Sequence, residues 1–394
     1  MNKFLWLPGF FILLTGCFLA CGGENPASRP RRNTSPVERR VQDFSTPETG
    51  GSEVHTDPPK PVIGFSIATA TFIIERWNKD LKVFTGAAQE LGADVIVQLS
   101  AGGIREQIAQ INYMVNQNID LLVVIAHDTE AIAGVIRQVR DSGIPVIAYD
   151  RLIQGVPLEG YISFDSKEVG RAFGRALREA VPQGRYLVVN GSVHDFNSFE
   201  ISRGLHEILD PHINSGIINL VKEIWLEEWS FDEALEKIGA IFDEGTGYDA
   251  IACGNDAIAS AAIQLLSERR LAGEVAVVGQ DAELISCQRI VEGIQLMTVY
   301  KPIGKLAPRA ARLALGIIQK KAMPPDLLLD NGSGAMIPSY IEKPVAVFAD
   351  NIDVVIRDGF HSREDVYRNV QQFQIQTDKR EKTPERSFGG PVGW

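Results

Sequence analysis

Short apolar runs alternate along the chain with stretches of helical spacing, and this alternation restricts the fold more than any other feature. The runs read PVIGFSI, ADVIVQL, IDLLVVIA, IPVIAYD, RYLVVNG, YDAIACGND and EVAVVGQD. After the first run, apolar side chains recur three or four residues apart, at Trp77, Leu81, Phe84, Ala88 and Leu91. Strands that are apolar throughout and alternate with helices predict parallel sheets covered on both faces. The sequence therefore predicts a doubly wound α/β fold.

Length and charge narrow the organisation and the class of partner. The chain has 394 residues, enough for two such α/β units, because domains commonly span about 100–200 residues. Its formal net charge is -11, whereas a protein that binds a phosphate backbone needs a basic face. We therefore expect two α/β domains that do not bind nucleic acid.

The first 21 residues are predicted to be a lipoprotein signal peptide. One lysine precedes an apolar run over residues 4–14, which is shorter than the roughly 20 residues of a membrane-spanning helix. The run ends in Leu-Thr-Gly-Cys17, which resembles the bacterial lipobox, in which the cysteine carries the lipid. Cys21 is the alternative, although bulky Leu19 occupies a position where small residues are usual. The resemblance implies an extracytoplasmic protein anchored to the cell envelope.

Two segments are predicted to be disordered. Residues 22–60 are rich in Pro, Ser, Gly and charged residues, and residues 371–394 have a similar composition. Such segments bury too little apolar surface to offset the entropy of ordering. The first segment is interpreted as a tether and the second as a tail.

Polar residues follow several predicted strands directly. They are Asp150 and Arg151 after IPVIAY, Asn255 and Asp256 after DAIACG, and Gln280 and Asp281 after EVAVVG. Open α/β sheets place their ligands at the carboxyl ends of strands, so these residues predict a binding cleft between two domains. Asp256 is interpreted as a cap of the following helix, a common role for Asp.

Several blocks of sequence carry a family resemblance. They are ERWNKD, IPVIAYDRLI, YISFDSKEVG, VPQG, GNDAIASAAIQLLS, VAVVGQDAEL, MTVYKPI and RDGFH. Together, and in this order, they resemble the sugar-binding proteins of bacterial ABC importers, the type I periplasmic binding proteins, and within them the branch that binds D-xylose. The resemblance extends from about residue 61 to residue 365.

The resemblance implies two α/β domains joined by a hinge that the chain crosses three times. The crossings are expected near 164–167, 296–300 and 333–337, where ISFDS, LMTVY and GSGAM interrupt the alternation of strand and helix. The first domain is then expected to comprise residues 61–165 and 300–334, and the second residues 166–299 and 335–365.

The resemblance also implies which residues bind the ligand. Position by position they are Arg76, Trp77, Asp150, Arg151, Asp195, Asn197, Trp229, Asn255, Asp281 and Lys301. Two stretches depart from the family pattern: ATATFII, before ERW, lacks the usual charged residues, and FNSFE has Phe196 in place of an asparagine. These two departures bear on which sugar the protein binds.

The chemistry of these residues suits a monosaccharide. Arg and Lys donate hydrogen bonds to hydroxyls, carboxylates accept them and Asn does both. A tryptophan covers the C–H face of a sugar ring at little entropic cost. Trp77 either stacks on the ring or packs in the wall, since it also falls on the apolar stripe of its helix. A pyranose pentose, D-xylose first, is the expected ligand, with another pentose or a hexose as the alternative.

Other functions fit the sequence less well. Ser192, His194 and Asp195 lack the GxSxG of a nucleophile elbow, and the histidines show no metal spacing such as HExxH. We therefore expect neither an enzyme nor a cofactor or metal site. A sugar-responsive repressor would begin with a helix-turn-helix instead of an export signal. Two outputs stay open for a monomeric binding protein: delivery to an ABC permease, and presentation to a membrane sensor kinase or chemoreceptor.

Overall fold

The computed structural model describes residues 59–68, 75–321 and 323–370. The predicted signal peptide with Cys17 and Cys21, all but the last two residues of the predicted tether, and the predicted tail lie outside the described residues. The ATATFII stretch is also outside them, apart from Ala68. Within the part of the chain that is described, none of the helices has the length and apolar character that a membrane span requires.

Two α/β lobes make up the described chain. The first lobe contains β1 (Val62–Ala68), α1 (Glu75–Glu90), β2 (Asp94–Ser100), α2 (Ile104–Asn116), β3 (Leu121–Ile125), α3 (Ala133–Asp141), β4 (Val146–Tyr149), β5 (Gly160–Phe164), and later α9 (Ile303–Ile318), β11 (Leu327–Asp330) and β12 (Met336–Glu342). The second contains α4 (Ser166–Ala180), β6 (Gly184–Ser192), α5 (Phe196–Asn214), β7 (Ile218–Leu226), α6 (Phe231–Asp243), β8 (Ala250–Cys253), α7 (Asp256–Glu268), β9 (Ala276–Gln280), α8 (Leu284–Val291), β10 (Met297–Tyr300), β13 (Val345–Val347), α10 (Asp353–Arg357) and α11 (Arg363–Val366). The α/β fold predicted from the alternation is confirmed.

Each lobe is built on one twisted sheet. The strand order is β11-β12-β5-β4-β3-β1-β2 in the first lobe and β13-β10-β9-β8-β6-β7 in the second. All neighbouring strands are parallel except two edge pairs, β11 with β12 and β10 with β13, which are antiparallel. The sheets are therefore mixed, with a parallel core that directs its carboxyl ends to one side.

The chain passes between the sheets three times, and two of the predicted positions need correction. The first passage lies between β5 and α4, within the predicted 164–167. The second follows β10, at 301–302, because β10 itself belongs to the second sheet. The third prediction, 333–337, is wrong: this stretch turns the hairpin from β11 to β12, both in the first sheet, and the chain crosses at 343–344. The predicted boundary between 334 and 335 therefore moves to about 343.

Aromatic packing in the first lobe fixes the elements that carry its polar strand ends. Phe65 of β1 meets Phe84 of α1 with ring centroids 4.8 Å apart, and Tyr149 of β4 at 5.5 Å. All three side chains are fully buried, and burying a large aromatic side chain stabilises a fold by roughly 2–3 kcal/mol. α1 and the end of β4 are thereby both held against β1.

Glycines let two helices of the second lobe approach closely. A Cβ at Gly170 of α4 would overlap the carbonyl oxygen of Ile201 in α5, and one at Gly204 would overlap that of Lys167. Gly170→Ala is therefore expected to destabilise the protein by about 3 kcal/mol, because backbone atoms cannot move aside as a flexible side chain can. Thermal or urea unfolding measures the change.

A second glycine substitution serves as the control. Gly86 also lies inside a helix, α1, but a Cβ there would meet no atom within 4 Å. Gly86→Ala is expected to raise stability by about 0.5–1 kcal/mol through helix propensity alone. Equal effects of the two substitutions would contradict the close approach of α4 and α5.

Candidate functional site

A cavity of about 380 Å³ lies between the lobes, at the carboxyl ends of both sheets. Every residue that the family resemblance implied lines it: Arg76, Trp77, Asp150, Arg151, Asp195, Asn197, Trp229, Asn255, Asp281 and Lys301. The first four belong to the first lobe and the next five to the second, while Lys301 stands at the second passage between them. Residues that are far apart in sequence thus converge on one space.

Arg76 is the centre of the polar network in the first lobe. Its guanidinium is buried and lies 2.5 Å from Asp150 Oδ1, 3.3 Å from Asp80 Oδ2 and, across the cleft, 3.4 Å from Asp281 Oδ1. It also lies 4.4 Å from the ring centroid of Trp77, within the range of a cation–π contact. Trp77 is only 6% exposed and belongs to the core of the first lobe. The ring therefore packs in the cavity wall beneath Arg76.

The pKa values of two buried aspartates beside Arg76 shift in opposite directions. Burial raises the pKa of Asp80 to about 6, although Arg76 and the Tyr149 hydroxyl, which donates to Oδ1 at 2.5 Å, oppose the shift. Burial alone would also raise the pKa of Asp150, but Arg76 and Lys301 hold that pKa below its ordinary value. Asp150 is therefore ionised near neutral pH and can accept hydrogen bonds.

The backbone of Asp150 is strained and firmly held. Its φ of 64° lies in the left-handed region, which is uncommon for residues other than glycine. Its carbonyl oxygen accepts hydrogen bonds from the Tyr161 hydroxyl at 3.1 Å, Ser163 Oγ at 2.8 Å and Asn197 Nδ2 at 3.0 Å. Since Asn197 belongs to the second lobe, one of these bonds crosses the cleft. Strain of this kind persists only where surrounding contacts support it.

A second group of contacts crosses the cleft at Asp195. This side chain caps α5 by accepting from Asn197 N at 2.9 Å, lies 2.8 Å from Arg151 Nε and accepts from Trp229 Nε1 at 3.0 Å. Burial raises the pKa of Asp195, while Arg151 opposes the shift. Arg151 in turn donates to the carbonyl of Ala126 at 2.8 Å. The fork of Arg151 is thus oriented by contacts in both lobes.

Trp229 lies against glycine backbone. A Cβ at Gly191 would overlap its indole ring, and one at Gly254 would lie 3.1 Å from it. These glycines, at the ends of β6 and β8, admit the ring where any larger residue would displace it. Together with the bond from Nε1 to Asp195, they fix a flat aromatic surface along the cavity.

The polar residues after β8, β9 and β10 complete the second-lobe side. Asn255 caps α7 through Oδ1, which accepts from Ile258 N at 2.9 Å. Asp256 does not cap that helix, so its predicted role is corrected: its side chain turns instead toward Glu283, Thr298 and Gln295. Lys301 Nζ lies 3.2 Å from Asp281 Oδ1. Asp281 therefore has a cation from each side of the cleft.

Seven further residues of the described chain line the cavity but were not among the predicted ligand-binding residues. They are Phe231, Asp232, Ala257, Ser260, Gln280, Glu283 and Phe360. Gln280 stands at a strand end, and Phe360 lies in the RDGFH block, so both carried a signal. The others lie at or near the starts of α6, α7 and α8, where the sequence gives no sign that they face a cleft.

The charges of the site favour a neutral ligand with many hydroxyls. Arg76, Arg151 and Lys301 each already face a carboxylate within 3.4 Å, so no unpaired positive patch exists among these three to attract an anion. No group of three or more His, Cys, Asp or Glu suited to a metal ion occurs in the described residues. Ser192 Oγ donates to the backbone carbonyl of Glu227 at 2.6 Å, an arrangement unlike that of a nucleophile and its base.

Comparison with known proteins decides the family. The family described as periplasmic binding protein domain matches residues 65–322, more than half of the chain. The chain belongs to this family. The D-xylose-binding periplasmic protein of Haemophilus influenzae is 41% identical over 296 residues, covering 75% of this chain and 89% of that protein. Its Escherichia coli counterpart is 39% identical over 295 residues, covering 74% and 89%.

Solved solute binding proteins have the same fold. The carbohydrate transporter solute binding protein from Chloroflexus aurantiacus, in complex with D-glucose, matches with a TM-score of 0.71 and 26% identity, covering 78% of this chain and 98% of that one. An ABC transporter solute binding protein from Clostridium phytofermentans, with β-D-glucose, gives 0.71 and 24%, covering 77% and 99%. The fold expected from the family resemblance is confirmed.

Proposed function

We propose that this periplasmic binding protein captures a monosaccharide, D-xylose, in the cleft between its lobes and delivers it to an ABC importer. The observation that carries the proposal is the convergence of ten hydrogen-bonding and aromatic residues from both lobes on one cavity. Three cations of the cavity, Arg76, Arg151 and Lys301, each face a carboxylate, which suits a neutral polyol. The relatives named D-xylose-binding support the choice of sugar.

Each class of residue has a role in this proposal. Asp150, Asp195 and Asp281 accept hydrogen bonds from sugar hydroxyls, and Arg76, Arg151 and Lys301 donate them. Asn197 and Asn255 act in both directions, and Trp229 covers the C–H face of the ring. Trp77 contributes through the wall it forms beneath Arg76. All ten residues belong to the proposed binding site.

Discrimination among sugars follows from hydroxyl geometry and bulk. A pentopyranose has no exocyclic CH₂OH group, so an aromatic wall at that position excludes a hexose by collision. A sugar epimeric at one hydroxyl leaves a buried polar group unpaired, which costs roughly 1–3 kcal/mol. D-glucose is the comparison that matters most, because solved relatives contain it.

Isothermal titration against D-xylose, D-glucose, D-ribose and L-arabinose tests the proposal. We expect D-xylose to bind with a micromolar or lower dissociation constant and at least about tenfold more tightly than the others, one hydroxyl contact being worth about 1.4 kcal/mol or more. Tight binding of another sugar with no heat from D-xylose would contradict the choice of sugar. Absence of heat from all four would contradict monosaccharide capture.

Delivery to an importer is the proposed output, and sensing through a membrane kinase or chemoreceptor is the alternative. Both outputs need the same cleft and the same closure of the lobes around ligand. The solved relatives, described as solute binding proteins of an ABC transporter and of a carbohydrate transporter, favour import. Genes for a permease and an ATPase beside this one would support it, whereas a neighbouring sensor kinase gene would favour the alternative.

We also propose that the protein is an extracytoplasmic monomer anchored to the bacterial cell envelope, in the periplasm or at the cell surface, by lipid on Cys17, with Cys21 as the second choice. The lipobox-like Leu-Thr-Gly-Cys17 and the tether-like composition after it support this. Mass spectrometry of the mature amino terminus should find a lipid-modified cysteine. A soluble protein with an unmodified amino terminus would contradict the anchor.

A further inference from the structure

Asp256 is a fully buried carboxyl group that does not line the cavity. Its Oδ2 accepts from Thr298 Oγ1 at 2.8 Å and from the backbone amide of Glu283 at 3.0 Å, while Oδ1 accepts from Gln295 Nε2 at 3.1 Å. Glu283 belongs to the loop after β9, Gln295 to the segment before β10, and Thr298 to β10 itself. Burying a carboxyl group whose partners are all neutral donors costs free energy of folding. Its presence here therefore calls for a structural reason.

The loop that Asp256 contacts carries Asp281, the carboxylate that faces both Arg76 and Lys301. Asp281 and Ala282 have φ values of 95° and 53°, two consecutive residues in a region that favours glycine. Conformations of this kind cost of order 1–3 kcal/mol each and persist only where neighbours over-determine them. The turn therefore needs external support.

Three successive backbone amides of the turn are each held by a hydrogen bond. Asp281 N donates to the carbonyl of Val299 at 2.8 Å and Ala282 N to Thr298 Oγ1 at 3.2 Å, while Glu283 N donates to Asp256. Thr298 Oγ1, which receives the second amide, itself donates to Asp256. Two of these three amide hydrogen bonds thus depend on this one carboxyl group, directly or through Thr298.

The glycine of the GQD motif makes room for the same group. A Cβ at Gly279 would overlap Asp256 Oδ1 and would lie 3.2 Å from the carbonyl oxygen of Asn255. Gly279 has no positive φ that would itself call for glycine. The need for glycine here is therefore steric, and the atom it accommodates belongs to Asp256.

We propose that Asp256 is a positioning residue for ligand binding, which holds the left-handed turn at 281–282 and so aims the Asp281 carboxylate across the cleft. This inference rests on the proposed function of the cleft as a sugar site. Asp256 touches no ligand; it acts on the ligand only through the turn. Removing its side chain should free the turn and weaken binding even though every cavity-lining side chain is retained.

The state of Asp256 determines which replacement is conservative. Burial raises the pKa of Asp256 to about 7, with Thr298, Gln295 and the amide of Glu283 opposing the shift and Asp281 adding to it. Arg289 also senses the charge of Asp256. Near neutrality a large share of the molecules therefore carry a neutral carboxyl group. Asparagine, which is neutral and of the same shape, keeps one oxygen in place for Glu283 N and Thr298.

The experiment compares Asp256→Ala, Thr298→Val and Asp256→Asn by titration with D-xylose and by hydrogen exchange of the peptide spanning 280–285. We expect Asp256→Ala to weaken binding about 30-fold and Thr298→Val about tenfold, each with faster exchange in that peptide, since each leaves turn amides without an acceptor. Asp256→Asn should recover most of the loss. Wild-type affinity and exchange in Asp256→Ala would overturn the proposal.

Asn331→Ala is the matched control. Asn331 is also buried and holds loop backbone, donating to the carbonyls of Ile153 at 2.7 Å and Val156 at 2.8 Å, but it does not line the cavity. The substitution Asn331→Ala should lower the stability of the protein and leave its affinity for D-xylose within about twofold of the wild-type value. An equal loss of affinity in this control would overturn a specific role for Asp256.

Two further outcomes are decisive. Should Asp256→Ala fail to fold, Thr298→Val decides, because it removes only the hydroxyl that links the turn to Asp256; unchanged affinity and exchange there overturn the proposal. Should the wild type bind no sugar, the proposed function fails while hydrogen exchange still tests the turn. Faster exchange in the variants then supports the positioning role, and unchanged exchange overturns it.

Discussion

Replacing Arg76 by alanine is expected to reduce sugar affinity at least about 100-fold and to lower the melting temperature by about 10 °C. Arg76 lies between Asp80, Asp150 and Asp281, so its loss leaves carboxylates buried without their cation. Breaking a buried ion pair from one side costs about 3–5 kcal/mol, and in a protein of this size each kcal/mol shifts the melting temperature by about 2–4 °C. Titration calorimetry and thermal unfolding measure the two effects.

Arg309→Ala is the control for Arg76. Arg309 also pairs with two carboxylates, Asp326 and Glu342, at 2.8 and 2.9 Å, but it lies outside the cavity and its partners are partly exposed. Exposed pairs contribute about 0–1 kcal/mol, so stability should change little and affinity not at all. Affinity within tenfold of wild type in Arg76→Ala would contradict the central role of this side chain.

Replacing Asp281 by glycine is expected to weaken sugar binding while relieving the backbone strain at this position. The substitution removes the carboxylate that Arg76 and Lys301 face, and we expect a loss of about 2–4 kcal/mol in sugar binding, because it also takes from the buried Lys301 the carboxylate with which it pairs. Glycine, however, adopts the φ of 95° without strain. Titration with D-xylose should therefore show a loss of about 30-fold or more.

Asp281→Ala supplies the matched comparison, since alanine removes the same carboxylate and retains the backbone strain. Both variants should lose affinity alike, but the glycine variant should be the more stable by about 1 kcal/mol, the usual cost of a left-handed residue other than glycine. Urea unfolding measures this difference. A glycine variant that binds as tightly as wild type, or is less stable than the alanine variant, would contradict the assigned role and strain of Asp281.

Local signals in the sequence predicted several of the residues that line the cavity. Asp150, Asn255 and Asp281 each follow an apolar run directly, and parallel strands bring such ends to one edge. Arg76 and Asp80 also carried a local signal, four residues apart on one helix face. The importance of Asp80 was nevertheless missed, because nothing in the sequence indicates that Tyr149 and burial keep it behind Arg76.

Errors arose where distant residues decide the structure. Residues 332–334 form a glycine-containing turn with positive φ at Gly332 and Gly334. The sequence of such a turn is the same whether it joins two strands of a hairpin or connects the two lobes. Only the pairing of β12 with β5 distinguishes the two. The role of Asp256 likewise depends on partners 27, 39 and 42 residues away, whereas helix capping is the best interpretation that the neighbouring residues allow.

A crystal structure of the protein with D-xylose tests the central claim most directly. Our account predicts one pyranose in the cavity between the lobes, with its hydroxyls within hydrogen-bond distance of Arg76, Asp150, Arg151, Asn197, Asp281 and Lys301, and with Trp229 along one face of the ring. A sugar bound elsewhere on the protein, or one in the cavity that contacts fewer than half of these side chains, would contradict the account.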